Sequence, residues 1–335
     1  MSNKTTRKAF IKQGSMAVAA MMIPLHVLAN TVNMAENNLY DVIIVGGSYA
    51  GLSAAMSLGR SLRKVLVIDS GKPCNRQTPH SHNFITHDGH TPQEIAAQAK
   101  AQVEKYSTVT FYSGLATKGV KTGNGFEIQA EAGDKFEAKK LVFATGMKDI
   151  MPDIKGFAEC WGISVVHCPY CHGYEIRDKN TGIIANGDAA YHYTQLVANL
   201  TKQVTVFTNG ESTFTEEQAA GLAKHNIAIV EKAIDSIVHD NGQIKHVVFK
   251  DGSTHALDAL YNRPDMVQHC DIPAQLGCEM TEHGFIMTDN MQKTTVPGVF
   301  TCGDNATQMR AVAAAVASGN LAGAMVNHEL VHEAF

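Results

Sequence analysis

The apolar positions of this chain fall into two rhythms. Unbroken runs rich in β-branched residues, at 41–45, 64–68 and 140–146, predict short strands buried on both faces, the habit of a parallel sheet. A helical stretch to about residue 62 joins the first two, so 41–69 predicts a βαβ unit. Residues 126–137 alternate apolar and polar, the period of a hairpin strand. Thr91, Pro92 and Glu94 are start signals for a helix over 91–105. Downstream the scheme repeats, with a strand at 181–185, a helix at 190–200, a strand at 204–208 and a helix at 216–225 ahead of further strands to about 262. The run 310–330 predicts a long closing helix whose small residues at 311–324 suit close packing beneath a cofactor.

Composition narrows the class. With 335 residues, 44% hydrophobic and 18% charged, the chain can build a large core, and its length predicts two domains. The net charge is −4 and no basic run is interleaved with aromatics, which argues against a nucleic-acid partner. The first 29 residues read as an export signal. Lys4, Arg7, Lys8 and Lys12 precede an apolar stretch at 16–27, and Val27-Leu28-Ala29 offers a cleavage site before Asn30. The stretch is short for a membrane span and Pro24 interrupts it. Thr6-Arg7-Lys8-Ala9-Phe10-Ile11-Lys12 is similar to a twin-arginine signal with lysine in place of the second arginine. The expectation is an exported, periplasmic protein with no membrane span.

Three motifs carry chemistry. In the first, Gly46-Gly47-Ser48-Tyr49-Ala50-Gly51 lies between strand and helix, with Asp69 closing the next strand. Glycines let the backbone turn tightly against a pyrophosphate, the helix N-terminus supplies N–H donors, and the acid can accept from ribose hydroxyls. Ser48 stands where that fingerprint has its second glycine. In the second, Cys168 and Cys171 are the one spaced pair among 7 cysteines, an odd count at irregular spacing that is no disulfide framework. Cys-x-x-Cys followed by His172 suits a redox dithiol, a c-type haem attachment or a zinc site using His167 or His172, although no second Cys-x-x-Cys completes a tetrahedron, and two unreactive buried thiols are the plain alternative. The third is Cys302-Gly303-Asp304 with Arg310-Ala311 at a helix start, where Asp304 can hold a polyol hydroxyl and the helix end can face a flavin carbonyl.

Taken in this order, the three motifs resemble the thioredoxin reductase family, and the resemblance spans about residues 40–330. It implies an α/β fold of two Rossmann-like, three-layer ββα nucleotide-binding domains, the FAD domain split around a smaller central one. The domains would be 1–29 signal peptide, 38–150 with 265–335 for FAD, and 151–264 for the central NAD(P)-like domain with the dithiol. Carried over by residue, Gly46, Gly47, Ser48, Tyr49, Ala50, Gly51 and Asp69 would hold the ADP half of FAD. Asn83, Gly146, Gly303, Asp304, Arg310 and Ala311 would lie along the flavin half. Cys171 would face the flavin and Cys168 would exchange with substrate, in a homodimer. No metal site is expected.

Two departures refine this. The second fingerprint reads Ala185-Asn186-Gly187-Asp188-Ala189-Ala190 without its first glycine, and Thr208-Asn209-Gly210-Glu211 has no arginine for a 2′-phosphate, which counts against NAD(P)H binding. Cys168-Pro169-Tyr170-Cys171-His172-Gly173 resembles the branch of flavin dithiol oxidases that close disulfides in small metabolites such as gliotoxin and holomycin. His172 stands where the usual reductases have an acid, and can act as base toward incoming thiols. The reading is oxidation of a small dithiol or protein thiol through Cys168 and Cys171. An NAD(P)H-dependent thioredoxin reductase is the alternative, and a non-catalytic flavin redox sensor is the alternative of another class.

Overall fold

The computed structural model describes residues 39–335, so the export signal expected at 1–29 lies outside the described residues. The first sheet begins with β1 (Leu39–Val45), α1 (Tyr49–Arg60), β2 (Val65–Asp69), α2 (Pro92–Val103) and β3 (Val109–Ser113). It continues through β4 (Ala116–Thr122), β5 (Gly125–Ala130) and β6 (Lys135–Phe143). A short strand β7 (Met147–Ile150) leads away to α3 (Phe157–Cys160), β8 (Val165–Val166) and α4 (Pro169–His172). The second lobe is built from β9 (Thr181–Ile184), α5 (Gly187–Ala198), β10 (Val204–Phe207), α6 (Glu216–Lys224) and β11 (Ala228–Val230). The meander β12 (Ile234–Asp240), β13 (Gln243–Phe249) and β14 (Thr254–Ala256) precedes β15 (Ala259–Asn262). The return runs through β16 (Asp265–Gln268), α7 (Ile272–Gln275), β17 (Val299–Thr301) and α8 (Val312–Ala334).

The first sheet has the order β3-β2-β1-β6-β5-β4, with β17 also paired to β6. β6 serves two ladders on one edge. Its start pairs antiparallel with β5 and its end pairs parallel with β17. The alternation at 126–137 is therefore two strands with a turn at 131–134, and the apolar run at 140–143 is the second half of one long strand. The buried runs are two-faced, as a parallel sheet requires. Val42 and Ile44 of β1 face helices α1 and α8, with Leu58, Ala322 and Val326. Ile43 and Val45 face Phe126, Ile128 and Ile286 on the opposite side. This is a ββα sandwich, and each fully buried aliphatic contributes roughly 1.5–3 kcal/mol.

The small residues of α8 have a steric reason that differs from the cofactor role expected of them. A Cβ on Gly319 would lie 2.1 Å from the carbonyl oxygen of Ala50, and one on Gly323 would lie 2.6 Å from that of Ala54. These glycines let α8 seat against the backbone of α1. That contact fixes α1, whose N-terminus borders a cavity lined by Gly46 to Ala50.

The second lobe repeats the plan with five parallel strands in the order β11-β10-β9-β15-β8. One face packs Ile183 and Val206 on Ala190, Tyr193 and Val197 of α5. The other packs Phe207 and Leu260 on Val247 and Phe249 of the meander, with Phe157 and Trp161. The chain passes between lobes through β7 and β16, which pair antiparallel with Asp149 opposite Met266. Arg310 grips Asp149 through both carboxylate oxygens, reaches Asp304 at 3.4 Å and touches the Met266 sulfur at 3.0 Å. One guanidinium thus ties the start of α8 to both crossing strands. Among the described residues no helix is long and apolar enough to cross a membrane.

Candidate active site

A cavity of about 1070 Å³ runs from the glycine turn after β1 to the dithiol. Gly46 to Ala50, Asp69, Asn83, Gly146, Gly303, Asp304, Arg310 and Ala311 line it, together with Cys171 and His172. Two expected residues, Gly51 and Cys168, stand back from it.

At the glycine turn the backbone leaves no room. Gly46 has φ +104°, and a Cβ there would sit 2.3 Å from the carbonyl oxygen of Ala144. A Cβ on Gly51 would sit 1.9 Å from the carbonyl oxygen of Gly46. Gly51 shapes the turn from behind. Asp69 accepts from the N–H groups of Gly47 (3.0 Å) and Gly71 (3.2 Å), so it braces the loop. Its two oxygens keep lone pairs for further donors. Ser48 is the N-cap of α1, with no side-chain cap hydrogen bond, which leaves N–H groups and the positive dipole end for an anion.

Cys168 and Cys171 form a disulfide across α4, a single turn with Cys168 as N-cap and Pro169 at its first position. The Cys171 N–H donates to Cys168 Sγ at 3.1 Å, a contact that would favour a thiolate there after reduction. Cys171 lines the cavity, whereas Cys168 adjoins Pro169 and Tyr170, whose side chain is 72% exposed. Burial pushes the pKa of His172 down, against the pull of Glu175 and with help from His82. His172 is therefore neutral at pH 7 and free to accept a proton. His167 is pushed down to about 4 by burial and by Arg310, and it stacks on Trp161 at 5.7 Å between centroids.

If His172 is the base, an asparagine there should lower the rate of thiol oxidation about 100-fold at neutral pH. In the native protein the rate should fall as pH drops through the lowered pKa of His172, because the protonated ring cannot accept. In His172→Asn that limb should vanish. A pH–rate profile of both proteins checks this, and an unchanged acid limb would remove His172 from the mechanism.

Several cavity residues escaped the sequence reading. Asp149 comes from β7 and binds Arg310, which also flanks Asp304. Burial pushes the Asp304 carboxyl up in spite of Arg310. Cys74 lies 3.7 Å from His269 Nε2, and burial together with Asp304 pushes its thiol up, so it is no ready nucleophile. His82 sits between Glu175 (3.6 Å) and Asp88 (3.7 Å), joining the histidine-rich loop to the dithiol segment. The cluster of His and Asn in 73–92 was the visible signal, but nothing in it named these partners.

The second fingerprint folds back on itself. The side-chain oxygen of Asn186, the N-cap of α5, accepts from the N–H groups of Gly187 and Thr213, each at 2.9 Å. Its amide donates to the Glu211 carbonyl at 2.8 Å. Asp188 lies in the first turn of α5 and accepts from Gln218 at 2.6 Å. Among the described residues no group of three or more His, Cys, Asp or Glu is arranged to hold a metal ion.

Known proteins share this plan. Residues 40–319 match the family described as pyridine nucleotide-disulphide oxidoreductase. Thioredoxin reductase tcpT of Claviceps purpurea is 33% identical over 309 residues, covering 89% of this chain and 96% of the relative. Thioredoxin reductase sirT of Leptosphaeria maculans is 32% identical, covering 87% and 94%. The crystal structure of an oxidoreductase from Agrobacterium tumefaciens superposes with a TM-score of 0.82 at 38% identity, covering 88% of this chain and 99% of that one. The chain belongs to the pyridine nucleotide-disulphide oxidoreductase family, as a thioredoxin reductase-like, FAD-dependent oxidoreductase acting on sulfur groups.

Proposed function

We propose that this protein oxidises dithiols to disulfides through Cys168 and Cys171, without a nicotinamide donor. The observation that carries this reading is the closed N-terminus of α5. Asn186 uses the end of the helix for its own loop, and the Asp188 carboxylate stands in the first turn, where a dinucleotide would place its phosphates. Residues of this kind do not fit NAD(P)H.

FAD, the cofactor of the family, does fit. The helix end of α1 has no side-chain cap, and the cavity beside it continues from the glycine turn to Cys171. Gly46 to Ala50 and Asp69 would hold the ADP half, and Asn83, Gly146, Asp304 and Arg310 would lie along the flavin. When bound, FAD supplies the two-electron sink that restores the protein disulfide, with oxygen or another acceptor taking the pair.

The protein groups do the rest. A substrate thiolate attacks Cys168 Sγ, the S–S bond to Cys171 breaks, and a mixed disulfide forms. His172 takes the proton of the second substrate thiol, whose sulfur then displaces Cys168. The substrate leaves as a disulfide, two electrons lighter, and Cys168 and Cys171 hold the pair as a dithiol. An exported setting agrees with this direction, since it lacks a nicotinamide pool, and a homodimer agrees with the family habit. Oxygen uptake with a small dithiol tests the reading. Uptake should match disulfide formed and should not respond to NADPH or NADH. Disulfide reduction driven by either nucleotide would overturn the reading.

A further inference from the structure

The C-terminal helix carries a second constellation, remote in kind from the dithiol chemistry. His328 and His332 stand four residues apart on α8, both exposed, with their Nε2 atoms 3.1 Å apart and ring centroids 4.3 Å apart. Residues at i and i+4 share one helix face, so the backbone alone brings the two rings together. Two nitrogens bound to one ion at 2.0–2.1 Å lie about 2.9 Å apart in square geometry and about 3.4 Å apart in tetrahedral geometry. The observed separation falls between these values.

We infer that His328 and His332 form a two-imidazole binding site for a borderline divalent cation, taking Cu²⁺ most tightly, then Ni²⁺ and Zn²⁺. As free bases the two Nε2 atoms can share only one proton, one donating and the other accepting. A cation replaces that proton and satisfies both lone pairs. Imidazole suits these metals, and the order of preference follows the general divalent series.

The string His328-Glu329-Leu330-Val331-His332 has the spacing that in zinc proteases places two ligands and a catalytic base on one helix. Hydrolysis is excluded here by Glu329, which is bound to Lys140 at 2.6 Å and Lys293 at 2.7 Å and cannot serve as base. Glu333 is also held by Lys140. Those ion pairs anchor the last turns of α8 to β6, so the imidazoles sit on a rigid support. Solvent completes the coordination.

The test uses the full chain with FAD bound and the Cys168–Cys171 pair oxidised, titrated with Cu²⁺ at about pH 7.5. Electron paramagnetic resonance should show coupling to two nitrogens for the first equivalent bound. His328→Ala and His332→Ala should each weaken that equivalent at least about tenfold and leave one-nitrogen coupling. Both side chains are exposed, so thermal melts without metal should stay as in the native protein. His80→Ala, in the histidine-rich loop, should leave binding unchanged. Equal affinity in all variants, or loss through His80→Ala instead, would overturn the site.

Discussion

Replacing Cys168 with serine should lower thiol oxidation at least about a thousandfold while leaving flavin content unchanged, because the nucleophile-accepting sulfur is lost and nothing else is touched. The asymmetry of the pair makes this specific. Cys168 stands outside the flavin-side cavity, next to an exposed Tyr170, and receives the Cys171 N–H. Cys171 lines the cavity. In Cys171→Ser the Cys168 thiol has no partner to release a bound sulfur, so the symmetrical disulfide of a small monothiol should exchange with Cys168, expelling one thiol and leaving the other as a mixed disulfide on Cys168. Mass spectrometry of the intact protein detects that adduct. Turnover retained by Cys168→Ser, or an adduct that forms on Cys171 of Cys168→Ser but not on Cys168 of Cys171→Ser, would reverse the assigned roles.

Gly51→Ala should be among the most damaging single methyls at the described glycines. Its Cβ would lie 1.9 Å from the carbonyl oxygen of Gly46 and 2.9 Å from the carbonyl carbon. Both atoms are backbone, so no flexible side chain can move aside. The turn must shift, but Gly46 is itself pressed against the Ala144 carbonyl at the end of β6. Overpacking of this kind costs about 3 kcal/mol. The variant should unfold at lower urea and be purified with little flavin. Gly71→Ala is the control: it has φ +71° and nothing within 4 Å, so only backbone strain of about 1–2 kcal/mol applies. Equal stability of the two variants would mean that the glycine turn is not the tight point of the fold.

What could be read from the sequence was local. The runs at 41–45 and 64–68 are strands because both their faces are apolar, and the glycine turn between them is legible from residue type alone. Cys168 and Cys171 carried their chemistry in their spacing. The strand Ala116–Thr122 was not foreseen, since its buried positions are the small residues Ala116 and Gly119 while Val120 is exposed, so no apolar alternation marks it, and it holds its place at the sheet edge by pairing with the following strand. The double use of β6 was hidden for a related reason: one edge serves two partners, and no single period records that. Long-range pairings were invisible. Arg310 was expected along the flavin, but its grip on Asp149, 161 residues away, depends on the crossing of β7 and β16. The altered second fingerprint showed a missing glycine, and the fold supplied the reason it matters, because Asn186 recruits Glu211 and Thr213 from the next loop to close the helix end.

The central claim is that electrons enter from thiols and not from a nicotinamide. Flavin absorbance during anaerobic titration tests it directly, with a small dithiol in one cuvette and NADPH or NADH in another. The account predicts that the dithiol alone bleaches the flavin band and that air restores it, with both nucleotides leaving the band unchanged. Prompt bleaching by NADPH or NADH would contradict it and make the protein a nicotinamide-dependent reductase.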